Sequence, residues 1–153
     1  MSYEFSLENL ETVYPEIEHL FREHYAEMCE RLERDGLKTS PYNPRLDQYF
    51  AAGNDGWLLT FLTRCDGVAV GYANIYVTHD MHNRDLIAKE DTMFITKAHR
   101  NGVGRKMSLF GMEELRRRGV KRLNVTALTD LRVAKLWQRM GFKPVAQYLT
   151  YEF

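Results

Sequence analysis

The stretch HRNGVGRKM, residues 99–107, sets two glycines one residue apart among cationic side chains, at the mouth of a segment with helical periodicity. A turn that opens a helix presents backbone N–H groups with no intrahelical acceptor, and the positive end of the helix dipole lies behind them. Such a turn holds anions. Gly102 and Gly104 lack a Cβ and let the main chain approach a bulky phosphate, while Arg100, Arg105 and Lys106 stand at the rim as charged donors. The spacing suits a pyrophosphate. It is neither a Walker loop, whose Gly-x4-Gly-Lys-Ser/Thr order is missing, nor a complete Gly-x-Gly-x-x-Gly dinucleotide fingerprint. Taken alone, it reads equally well as a strand-to-helix turn with solvated basic residues.

Three further groups bear on chemistry. His79 and His82 form His-x-x-His in a polar turn, but no cysteine or third ligand accompanies them, so no metal is expected. RRRGVKR, residues 116–122, places five cations in seven positions, which suits the solvated carboxyl end of a helix; nucleic-acid binding is the alternative reading. His24 shares a helical stripe with apolar residues and reads as a packed histidine. The two cysteines, Cys29 and Cys65, have neither metal-ligand spacing nor a disulfide-scaffold pattern, and a reducing, cytoplasmic setting is expected.

The elements that position these residues follow from periodicity. Tyr3 to Leu7 is β-prone. Pro15 suits the first turn of a helix running to about Asp35, where Gly36 ends it; Ile17, Leu20, Phe21, His24, Tyr25, Met28 and Leu32 recur along it at helical spacing. The next stretch, with two prolines, reads as a loop around a short helix from Leu46 to Ala51. WLLTFLTR and VAVGYANIYVT flank Cys-Asp-Gly, a hairpin signal because the turn needs positive φ. TMFIT is a strand leading into the glycine turn. Beyond it Val103, Met107, Phe110 and Leu115 mark one face of a helix that Gly119 closes. RLNVTAL reads as a strand, VAKLWQRM as a helix before Gly141, and VAQYLTYEF as a final strand. A strand-loop-helix-strand passage beside hairpins implies an α/β fold with a mixed, mostly antiparallel twisted sheet and helices on both faces. Residues 1–153 are expected to form one domain, since a chain of 153 residues buries roughly two-thirds of its unfolded surface.

The chain has 21 Lys plus Arg and 21 Asp plus Glu, so its overall field favours neither nucleic acid nor an anionic membrane as partner. Hydrophobic content of 44% and charged content of 27% exclude a disordered chain. No apolar run approaches the ~18 residues of a membrane span, and MSYEFSLENL carries no basic-then-apolar leader.

EDTMFITKAHRNGVGRKM, followed by DLRVAKLWQRMGF, resembles the Gcn5-related N-acetyltransferase (GNAT) superfamily, whose hallmark is a strand ending in Gln/Arg-x-x-Gly-x-Gly/Ala before a helix. The later match is to its Asn-x-x-Ala... Tyr-x-x-x-Gly-Phe helix. The likeness extends by element order through residues 57–153. HLFREHYAEM, the DGVAVGY hairpin and HDMHNRD are similar to a branch often met in bacteriophage genomes. The resemblance implies that the glycine turn binds the pyrophosphate of acetyl-coenzyme A through Gly102, Val103 and Gly104 with His99, Arg100, Asn101 and Arg105. It implies that Phe94, Ile95 and Thr96 line the pantetheine arm, and that the helix bearing Asp130 and Trp137 flanks the arm from the other side. His99 stands where the family has Gln or Arg, Asp130 replaces Asn, Val133 replaces Ala, and Trp137 replaces the tyrosine that protonates the departing thiolate. An indole N–H donates a hydrogen bond but does not shuttle a proton at neutral pH.

The resemblance further implies transfer to a primary amine of a small molecule or protein, and homodimers are common among similar proteins. An alkyl ammonium of pKa near ~10.4 is protonated at pH 7 and must lose a proton before it attacks. Asp91, with Glu90 beside it, occupies the family's acidic position at the start of the cofactor strand. In a regular strand the two point to opposite faces, so one of them, Asp91, is expected to be the base. A backbone N–H near Phe94 or Ile95, freed where the strand bulges, would hold the developing oxyanion. The residues of acid type left to replace the missing tyrosine are Tyr72, Tyr76 and Tyr148. A coenzyme A-binding module without catalysis is the alternative, as is a nucleic-acid binder using residues 116–122.

Overall fold

The structure, a computed structural model, describes residues 1–128 and 132–153. Its elements in chain order are β1 (Tyr3–Glu8), α1 (Leu10–Arg34), α2 (Leu46–Asn54), β2 (Leu58–Cys65), β3 (Val68–His79), β4 (Leu86–Ile95), a 3-10 turn (Lys97–His99), α3 (Val103–Arg117), β5 (Arg122–Asn124) and α4 (Arg132–Arg139).

α1 begins earlier than Pro15 suggests. The Asn9 side chain accepts from the Thr12 amide at 3.1 Å and caps the helix, so Pro15 lies inside it and forgoes one backbone bond. The hairpin between β2 and β3 forms as its sequence dictates: Asp66 (φ 49°) and Gly67 (φ 84°) both take positive φ, as a two-residue turn matched to strand twist requires.

The five strands lie in sequence order, all antiparallel except β5, which runs parallel to β4 because α3 crosses between them. Leu10, Ile17, Leu20 and Phe21 of α1 pack with Leu62, Tyr72 and Phe94 on one face of the sheet. Val103, Met107 and Leu115 of α3 pack with Phe61, Ala73, Ala88 and Ile95 on the other. Each such side chain contributes roughly 1.5–3 kcal/mol when fully buried. Helices therefore cover both faces, as the sequence pattern requires. Phe110 leans out of the α3 stripe toward Phe5 and Phe61 and is 37% exposed; Gly111 takes the buried position instead.

The final strand expected over VAQYLTYEF does not form. Residues 143–153 pair with no strand among the described residues, and Val145, Tyr148, Leu149, Tyr151 and Phe153 are exposed. Alternation makes a strand only when an edge is offered to it, and β5, with three residues, offers a short one. No helix among the described residues is long and apolar enough to cross a membrane.

Candidate active site

β4 is the spine of the site. Along β3 its register runs Asn74 opposite Thr92 and then Ile75 opposite Glu90, so Asp91 is an extra residue with no partner. This is a β-bulge, and bulges re-aim side chains. Ala88 lies in the core cluster under α3 and so does Ile95, although they stand an odd number of positions apart; only an inserted residue reconciles the two. The bulge corrects one expectation: the irregularity sits at Asp91, earlier in the strand than Phe94 or Ile95. Glu90 lies opposite Ile75 on the α3 face and Asp91 reaches Tyr49 on the α1 face, as expected of neighbours in a strand, and both line the cleft along the strand's outer edge. Phe94 and Ile95 pair regularly with Tyr72 and Gly71.

β5 pairs only with Ile87, Ala88 and Lys89. From Glu90 onward the outer edge of β4 pairs with no strand among the described residues, and a cleft of about 860 Å³ runs along it. That is ample for a ligand of cofactor size. The amino-terminal wall is α1, through His24, Glu27, Met28 and Arg31; the opposite wall is Thr126 to Leu128 with Val133, Leu136 and Trp137. The glycine turn closes one end. Gly102, at φ 93°, takes the left-handed conformation that glycine adopts without strain, and it precedes α3 with no side chain capping the helix. Gly104 and Arg105 face the cleft beside it.

At the other end stand the carboxylates. The Tyr49 hydroxyl donates to Asp91 Oδ2 at 2.7 Å, and Glu90 Oε2 accepts from the Thr126 amide and hydroxyl, both at 3.1 Å. Burial raises both carboxyls above their ordinary range; the Tyr49 bond to Asp91 and the Thr126 bonds to Glu90 oppose the rise without cancelling it. Burial also raises the Tyr49 and Tyr76 hydroxyls, with the Asp91 charge as the next cause. His24, half-buried against Phe94 and Tyr72, is pushed down to about 4 by desolvation. Trp137 is buried, and its Nε1 has no hydrogen-bond acceptor among the described residues.

The structure thus brings together, on one cleft, Glu90, Asp91, Phe94, Ile95, Arg100, Gly102, Gly104, Arg105 and Trp137. Three other expected residues are placed differently: the Thr96 amide donates to the Val70 carbonyl, His99 Nδ1 meets the Tyr3 hydroxyl at 2.8 Å, and Asn101 is exposed away from the cleft wall. The Val103 side chain is buried under the sheet, with its amide in the first turn of α3. Arg100 is already engaged: its Nε donates to the Ile95 carbonyl, its Nη2 to Glu27, and its guanidinium lies 5.3 Å from the Phe94 ring centroid. It clamps α1 to β4. Asp130 lies outside the described residues.

Sequence reasoning missed Tyr49, Thr126, Glu27 and the cleft-facing role of His24. Only contacts across long sequence separations reveal them, and no local spacing signals those. The basic run is largely neutralised: Arg116 pairs with Glu113, Arg117 and Arg118 with Glu114, and Lys121 with Asp85. His79 Nδ1 lies 2.9 Å from the Arg84 carbonyl, and the His82 amide donates to Asp80, so local turn contacts engage both residues.

Residues 14–142 match the acetyltransferase (GNAT) family. The chain belongs to that family. It is an acyl-coenzyme A N-acetyltransferase. Among curated proteins nothing matches in sequence. Solved structures share the fold at low identity. A ribosomal-protein-alanine N-acetyltransferase from Brucella melitensis biovar Abortus 2308 is 14% identical with a TM-score of 0.71, covering 98% of this chain and 99% of its own. An aminoglycoside N-acetyltransferase in complex with coenzyme A is 18% identical with a TM-score of 0.72, covering 99% and 95%. A GCN5-related N-acetyltransferase from Ralstonia eutropha JMP134 is 18% identical with a TM-score of 0.69, covering 99% of each chain.

Proposed function

We propose that this GNAT protein transfers an acetyl group from acetyl-coenzyme A directly to a primary amine in a ternary complex, with Asp91 as the base. One observation carries the reading: Asp91, the unpaired residue of the β4 bulge, lines the same cleft that ends at the uncapped Gly102 helix mouth. The cleft has the parts such a donor needs. Backbone amides at the start of α3 meet the diphosphate, Arg105 adds charge at the rim, and the open edge of β4 offers peptide groups to the pantetheine amides. Trp137 brings a buried donor lacking an acceptor among the described residues.

The amine nitrogen attacks the thioester carbonyl, a C–N bond forms, the C–S bond breaks, and the amine's proton passes to Asp91. A raised carboxyl pKa narrows the gap to the ammonium and makes Asp91 a better acceptor than an exposed aspartate. Tyr49 holds the carboxylate in place. A thiolate whose thiol has a pKa near ~8.5 leaves without a dedicated acid, so a tryptophan at position 137 is compatible with turnover. Acceptor recognition falls to Asp91 ringed by Tyr49 and Tyr76, a setting that attracts cationic amines, whether of a small molecule or a protein. The free thiols of Cys29 and Cys65 accord with a cytoplasmic setting.

Thiol release with acetyl-coenzyme A and an amine panel, run beside calorimetry of coenzyme A, tests this. Asp91→Asn is expected to lower turnover by a factor of about 10² or more, the usual range for a lost base, while leaving coenzyme A affinity intact. Gly104→Val should weaken coenzyme A about tenfold by obstructing phosphate approach; a Cβ there would meet Met93 and Ile95 only at 3.6 and 3.8 Å, so Gly104→Ala, which the fold accommodates, serves as the control for packing. An unchanged rate removes Asp91 from the mechanism. An unchanged affinity removes the glycine turn from the donor site.

A further inference from the structure

Behind the carboxylate end of the cleft, between the sheet and α3, lies a second cavity of about 30 Å³. A single water needs roughly 10–15 Å³ by the same measure, so the space is real. Its walls include Met93, Met107, Met112, Leu115, Phe61 and Ala73. Of its polar groups, the Ser108 hydroxyl donates back to the Gly104 carbonyl at 2.8 Å and Glu90 is held by Thr126, which leaves the Trp137 indole N–H as a lone donor with no acceptor among the described residues. A cavity walled in this way suits an apolar guest and not a water, which needs two to four polar partners.

Three residues, Glu90, Met93 and Trp137, line both this cavity and the cleft. Glu90 stands at the carboxylate end of the cleft, where the acyl group of a bound donor would lie, and Met93 reaches from there toward Gly104 and Ser108. The geometry points to an acyl-chain compartment: the methionine-lined cavity behind Glu90 and Trp137 receives carbons beyond the acetyl methyl, so that propionyl- and butyryl-coenzyme A are donors as well. This rests on the assignment of the cleft to an acyl-coenzyme A.

The methionines suit the role. Their unbranched thioethers rearrange at low cost, so the cavity widens for a guest that a Leu/Ile wall would refuse. The step itself is unchanged by chain length: the amine forms the C–N bond, the C–S bond breaks, the proton goes to Asp91 and the thiolate departs. What changes is the apolar surface removed from water, worth about fourfold in affinity for each methylene that fits.

Calorimetry on the full chain with coenzyme A, acetyl-, propionyl- and butyryl-coenzyme A needs no acceptor and tests the compartment. Propionyl-coenzyme A is expected to bind about fourfold more tightly than acetyl-coenzyme A, with butyryl at least as tight as propionyl. Gly111→Ala narrows the cavity from α3, a wall the cleft does not share, since a Cβ there would rest 3.7 Å from the Phe61 ring without clash. It should abolish the gain for longer chains and leave acetyl-coenzyme A binding unchanged; Met112→Phe should do the same from the neighbouring position. Equal or weaker binding of propionyl-coenzyme A to the native chain, with acetyl-coenzyme A still bound, overturns the compartment alone. A gain that survives both substitutions also overturns it. Failure of coenzyme A and all its thioesters to bind overturns the donor cleft and the compartment together.

Discussion

His24 makes the stability of this fold depend on pH in a window where few carboxylates titrate. Its ring lies 5.4 Å from the Phe94 centroid and 6.3 Å from that of Tyr72, and desolvation lowers it from 6.5 to about 4; the charge of Glu27 opposes this and that of Arg100 adds to it. Between those two values the unfolded chain binds a proton that the folded chain refuses, so stability rises with pH across the window and is lost as pH falls from about 6.5 toward 4. At 1.36 kcal/mol per unit the full loss is about 3 kcal/mol, with a slope approaching ~1.4 kcal/mol per pH unit at its steepest. Asp91 and Glu90, whose pKa values are raised, act with the opposite sign, so the test is a difference between two proteins. Urea unfolding of the native chain and of His24→Gln, at intervals from pH 7 to pH 4, isolates the histidine. The native curve should converge on the variant's, or fall below it, by about 3 kcal/mol of relative change. Parallel curves would show that His24 is hydrated or charged in the folded state, and the packing described here would be wrong.

Two other perturbations follow from single contacts. Tyr49→Phe removes the hydroxyl that favours ionised Asp91, so the acidic limb of the rate-pH profile should move upward by about one unit, the worth of a hydrogen bond to a charged group; a fixed limb would mean Asp91 is not the titrating base. Arg64 bridges β1 and α1, meeting Glu8 at 2.6 Å and Glu16 at 2.8 Å with its own side chain 21% exposed, and it lowers both carboxyls. Arg64→Met should therefore cost about 1–2 kcal/mol at neutral pH, discounted for solvent screening, and the loss should shrink below about pH 4, where the glutamates protonate. Equal destabilisation at pH 7 and pH 3.5, measured by urea unfolding, would assign the effect to packing of the arginine stem.

Much of the scaffold was legible because local chemistry writes it. Asp66-Gly67 admits little but a tight hairpin turn, and Gly102 before the Val103, Met107, Leu115 stripe marks both the helix and its anion-ready mouth. The start of α1 was misread because Pro15 competes as a signal with Asn9, and only the cap contact to Thr12 decides between them. The bulge at Asp91 was invisible: Glu90-Asp91-Thr92 reads as ordinary alternation, and the register that exposes it belongs to β3. The Tyr49 to Asp91 and Arg100 to Glu27 contacts join residues 42 and 73 positions apart, a relation that composition and spacing do not encode. The tail failed in the other direction. Its alternation promised a strand, but pairing depends on a neighbour's free edge as much as on the segment itself.

The unpaired residue at Asp91 makes β4 sensitive to length in a way it is not sensitive to composition. Losing any single codon between Glu90 and Thr92 would let the strand pair in plain alternation with β3, and one half of it would turn over: either Ala88 would leave its packing layer, or Phe94 and Ile95 would exchange theirs. Conservative replacements along this strand are thus survivable where an in-frame deletion is not. Variation among sequences sharing this architecture should record that difference as tolerance of type beside strict preservation of count.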